Sequence, residues 1–78
     1  MISCTITTWR GRLAAFVTPE FAAAVDVQRG AIVTATRSDR EVARGPVLSV
    51  DREHHIVTVQ GYAPEDGDRL TLTHEIEP

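Results

Sequence analysis

Lysine is absent from this 78-residue chain, and cysteine occurs once, at position 4. The lone Cys4 excludes any intrachain disulfide framework, and a small chain without one fits a reducing compartment. No apolar run approaches the roughly 18 residues that a membrane-spanning helix requires. The start of the chain lacks the positive stretch and apolar core of a signal peptide. A cytoplasmic protein that does not enter the membrane is therefore expected. Catalytic signatures are missing too: there is no phosphate-binding loop, no G-x-S-x-G, no H-E-x-x-H and no dinucleotide fingerprint. The length allows one domain, spanning residues 1–78, with little room for a pocket that excludes water. No enzyme activity and no cofactor are expected.

What is present reads as a folded domain. Hydrophobic residues make up 42% of the chain and charged residues 24%, too apolar a balance for a disordered segment. All eight basic residues are arginine, and the formal net charge is −3. The charge is uneven. Residues 1–61 come to +1 and residues 62–78 to −4, so the acidity belongs to the C-terminal segment. An overall pI near 5.5 argues against non-specific nucleic-acid binding, which relies on many phosphate contacts, while leaving room for a small basic face.

The pattern is mainly β. Ile2, Cys4 and Ile6 alternate with Ser3, Thr5 and Thr7, the period of a half-buried strand. Leu13 to Val17 is a second apolar run. Thr18-Pro19-Glu20 then reads as a helix start, with a capping hydroxyl, proline at the first helical position and an acid in the first turn. Phe21 and Val25, spaced i,i+4, would face the core from one short helix near residues 19–25. Further strands are expected at Ala31–Thr36, Val42–Val50, Ile56–Gln60 and around Leu70–Ile76. Gly45-Pro46 should mark a bulge or an edge, because proline cannot donate to the ladder. Arg37–Arg40 and Asp51–His54 should turn, and Gly61–Gly67 should form an acidic loop. Five or six short strands with one helix predict a small closed SH3-like barrel, since closure removes exposed edges.

Two stretches resemble known families. Arg29-Gly30, Ile32-Val33, Gly45-Pro46-Val47-Leu48-Ser49-Val50-Asp51 and Val57-Thr58-Val59-Gln60-Gly61 resemble a KOW-type SH3-like barrel segment, with Gly45 as its glycine. The resemblance covers residues 29–61 and implies the fold. Ser38 and Val42 stand where such segments usually carry glycines, and the usual lysines are missing, so RNA binding is the weaker implication. Gly11-Arg12-Leu13, Thr18-Pro19-Glu20-Phe21 and residues 25–33 are similar to swapped-hairpin transcription factors of the AbrB/MazE type. That likeness implies an intertwined dimer presenting Arg10 and Arg12 to DNA.

Among candidate site residues, His54 and His55 would point to opposite faces of a strand and cannot readily share a metal. Glu65, Asp66 and Asp68 lack the ligand spacing of a calcium loop. Cys4 reads as a small core residue. No metal site is expected. Trp9, Arg10 and Arg12 place an aromatic beside two guanidiniums, residue types enriched at interface hot spots and suited to nucleic-acid stacking. Tyr62 reads as a further exposed aromatic. The four together form the expected partner-binding set. The function expected is a non-catalytic module that recognises a protein partner, as a small regulator, inhibitor or assembly component. The alternatives are a nucleic-acid-binding regulator and a self-associating structural subunit, such as a homodimer.

Overall fold

The computed structural model describes residues 2–8, 14–28 and 30–73. Trp9, Arg10 and Arg12 lie outside them, as do Leu13 and Ile76. The elements run β1 (Ser3–Thr5), β2 (Thr7–Thr8), β3 (Ala14–Phe16), α1 (Pro19–Val27), β4 (Ile32–Arg37), β5 (Arg40–Asp51), β6 (Ile56–Val59) and β7 (Arg69–Leu72). All strand pairs are antiparallel, in the order β1-β7-β4-β5-β6-β3-β2.

The two ends of that order are consecutive in the chain. Only Ile6 separates β1 from β2, so they form one bent strand whose first half pairs with β7 and second half with β3. The sheet therefore closes on itself as a six-stranded ring, the small mainly-β barrel the alternation predicts. Ile6 is both the corner and part of the core: it is buried, its N–H donates to the Asp68 carbonyl at 2.8 Å, and its own carbonyl accepts from Gly67 at 3.1 Å.

One strand departs from the expected short lengths. β5 runs for twelve residues, pairing with β4 through its first part and with β6 through its second. It serves both walls because two bulges coil it. Ala35 pairs with Ala43 and Thr36 with Glu41, which leaves Val42 as an extra residue. Val47 pairs with Val59 and Ser49 with Thr58, which leaves Leu48 as the second. This break falls beyond Gly45-Pro46, whose residues stay in register with Val33 and Ile32. Gly45 has a different reason to be glycine. A Cβ there would lie 2.9 Å from the Gln60 carbonyl oxygen, in a backbone segment tied down by the Gln60 N–H donating to the Pro46 carbonyl at 3.0 Å. Gly45→Ala is expected to cost about 2 kcal/mol, the scale of an overpacked core site. A melting temperature within about 3 °C of wild type, for a domain in which 1 kcal/mol moves Tm by several degrees, would show that Gln60 yields easily.

The helix starts as its sequence dictates. The Thr18 Oγ1 accepts from the Phe21 N–H at 3.2 Å, and Pro19 opens the first turn. It runs two residues past Val25, because Ala22-Ala23-Ala24 are strong helix formers and the Gln28 N–H closes it onto the Val25 carbonyl at 3.1 Å. Phe21, Ala22 and Val25 are buried, and the helix packs against β5. The remaining interior is small: Ala15, Ala31, Ala35, Val33, Val57 and Val59 line the walls, with Leu70 and Ile6 as the larger fillers. Ser38 and Asp39, both at positive φ, make the two-residue β4–β5 turn, whose twist matches its strands. Among the described residues, no helix is long and apolar enough to cross a membrane.

Candidate functional site

Strand alternation decides what fills the end of the barrel beside Ile6. Val33 and Ala35 point inward on β4, so Arg37 follows them; Leu72 and Leu70 point inward on β7, so Asp68 follows in turn. The two meet there. The Arg37 Nε donates to Asp68 Oδ1 and Nη2 to Oδ2, both at 2.9 Å. Asp68 is 1% exposed and also accepts from the Tyr62 hydroxyl at 2.6 Å and the Glu65 N–H at 3.1 Å. The hydrogen bonds from Arg37 hold its carboxyl below the usual carboxylate range, against the opposing effect of burial. Burial and then the bond to Asp68 push the Tyr62 phenol up.

This geometry corrects the reading of Tyr62. It is 4% exposed, with its hydroxyl committed to Asp68, and is not a surface aromatic. Arg37 also pairs with Glu65, and Arg52 pairs with Asp26, so both arginines are bound to acids distant in sequence. The acidic loop is occupied internally as well: Asp66 Oδ1 accepts from the Thr8 N–H and hydroxyl, both at 2.7 Å, which lowers its carboxyl pKa.

His54 and His55 sit at the β5–β6 turn. Asp51 Oδ1 accepts from the Glu53 and His54 N–H groups at 3.0 and 3.1 Å, and its Oδ2 lies 3.0 Å from His54 Nδ1. The pair pulls the Asp51 carboxyl down and the His54 imidazole up. His55, at positive φ, instead contributes its carbonyl to the Val17 N–H. Among the described residues, no group of three or more His, Cys, Asp or Glu is placed to hold a metal ion. Cys4 is buried, and burial raises its thiol pKa, so it stays a thiol.

Among the exposed apolar side chains Val27, Val42 and Leu48, the last is the second bulge residue of β5. With no opposite number on β6 it turns outward, and it is 61% exposed. A cleft opens on each side of it. One, of about 420 Å³, lies between the end of α1 and β5, lined by Val25, Asp26, Gly30 and residues 47–50. The other, of about 310 Å³, is mostly apolar and runs over Thr58, Val59, Gly61, Tyr62 and Ala63. Tyr62, itself buried, lies behind this cleft beside Leu48. The site is composed of elements far apart in sequence: the helix end, the bulge, and the turn after β6. Sequence reasoning missed Leu48, although one signal was available. Val47-Leu48 places two apolar residues in succession on an alternating strand, so one of them must leave the core face.

Comparison with protein families, curated proteins and solved structures finds nothing that matches the chain.

Proposed function

We propose that this protein is a non-catalytic binding module that docks a protein partner through the surface around Leu48. The observation that carries the reading is the bulge itself. An inserted residue bends β5 and presents an apolar side chain between two clefts, and bulges commonly re-aim a side chain in this way. Ring closure supports the same mode, because each strand is paired on both sides once β1 and β2 are counted as one. Docking would then rely on side chains and shape, not on an added strand.

The test uses wild type and Leu48→Asp as baits in lysate from the source organism, after nuclease treatment. Because Leu48 is exposed, the change should alter stability by no more than about 0.5 kcal/mol. Wild type is expected to retain a defined protein that Leu48→Asp loses by tenfold or more. Equal capture by both baits would remove Leu48 from the interface.

A second reading, nucleic-acid binding, has one observation of its own. Ser3, Thr71, Thr34 and Arg44 form a cross-strand row on the outer face of β1, β7, β4 and β5, with Thr5, Arg69 and Thr36 in the next. Arg44 and Arg69 make no ion pair among the described residues. Hydroxyls and free guanidiniums suit phosphate contacts. The likenesses to KOW-type and AbrB/MazE-type proteins belong with this reading, as do Arg10 and Arg12. It predicts that capture disappears with nuclease and that affinity falls steeply with salt.

A further inference from the structure

We propose that the cleft between α1 and β5 takes a partner segment in which an apolar side chain stands next to an arginine or lysine, with the basic group binding Asp26. The inference rests on the protein-docking reading and adds the chemistry of the partner. The lining of the cleft is mixed: apolar groups of Val47, Leu48 and Val50 stand beside a larger polar share that includes Asp26 and Ser49. Among the described residues, Asp26 is the only charged side chain in the lining, so the complement it asks for is a cation.

The chain already shows the site accepting one. Arg52, in the β5–β6 turn, places its Nε 3.4 Å from Asp26 Oδ2. That contact is loose: the Arg52 side chain is 76% exposed and makes no other polar contact among the described residues, whereas Asp26 is 22% exposed at the cleft. An exposed pair of this kind adds little stability, so an incoming guanidinium displaces Arg52 at small cost. The apolar neighbour meanwhile fills space against Val47 and Val50. Gly30, at positive φ, turns the chain from the helix into β4 without a side chain that would narrow the entrance. A volume of about 420 Å³ is within the range of clefts that hold a few side chains.

The test is an NMR titration of the whole chain with two capped dipeptides, acetyl-Leu-Arg-amide and acetyl-Leu-Glu-amide. Amide shifts at Asp26, Gly30, Ser49 and Val50 are the readout. The Leu-Arg probe is expected to bind at least fivefold more tightly than Leu-Glu. Asp26→Asn should abolish that preference, and Arg52→Ala should tighten Leu-Arg binding two- to threefold by removing the internal competitor. Equal binding of the two probes, a preference that survives Asp26→Asn, or shifts confined to other surfaces would overturn the inference. Circular dichroism of both variants confirms that they fold. The outcomes separate the two proposals. Partner capture that depends on Leu48 without a dipeptide preference leaves the docking reading standing and ends this one. Absence of any captured protein ends the docking reading and this inference with it.

Discussion

Asp68→Ala is expected to destabilise the domain by about 3 kcal/mol, the lower end of the cost of breaking a buried ion pair from one side. The alanine variant leaves the Arg37 guanidinium, the Tyr62 hydroxyl and the Glu65 N–H without their shared acceptor. The figure stays low because the Arg37 side chain is about a third exposed and regains water. In a domain of this size the loss should lower Tm by about 15 °C. Tyr62→Phe removes one bond to the carboxylate and should cost about half as much. If Asp68→Ala melts within about 3 °C of wild type, the network contributes nothing to the fold.

The same carboxylate sets the acid limit. Its folded-state pKa lies below its unfolded value of about 3.9, so its contribution is complete above that value and is lost as pH falls through the folded pKa. Asp51 and Asp66 are lowered too and act in the same direction. Stability should therefore fall below about pH 4, less steeply in Asp68→Asn than in wild type. His54 works oppositely: its raised pKa gives stability that is present in acid and fades as pH rises through the folded value.

Phe21→Ala is expected to cost about 4 kcal/mol, the largest effect of any single substitution proposed. Phe21 is the largest of the fully buried side chains, in a core made mostly of alanine and valine. Small neighbours on fixed strands cannot close the cavity that alanine would leave. Phe21→Leu, which keeps most of the volume, should cost less than about 1.5 kcal/mol. Guanidinium denaturation of both variants decides the matter: the midpoints should separate clearly while the slopes stay equal, since the surface exposed on unfolding barely changes. Similar midpoints would place the core's weight elsewhere.

Local chemistry made much of this architecture legible. The Ile2-Cys4-Ile6 alternation, the Thr18-Pro19 helix start and the Ser38-Asp39 turn each carry their instruction within a few residues. What escaped depends on partners distant in sequence. Asp68 sits in an acidic run that reads as solvent-facing, and only the pairing of β4 with β7 brings it under Arg37. Tyr62 looks like a surface aromatic until that carboxylate is placed beside its hydroxyl. Val47-Leu48 signals that one apolar residue leaves the core face, but which one follows only from β5 turning from one wall to the other. Gly45-Pro46 drew attention as the irregular point because its composition is unusual, yet its irregularity is steric: the glycine admits the Gln60 carbonyl.

The bent first strand has a consequence for how the molecule comes into being. Ser3 pairs with Thr71, so a contact needed to close the ring joins residues from nearly opposite ends of the described chain. Folding with such distant partners is slow, because loop closure must be completed before the pairing is rewarded. A ribosome delivering this chain would release β1 long before β7 exists. During that interval the nascent segment carries unpaired strand edges, and the native state forms only after synthesis has passed Leu72.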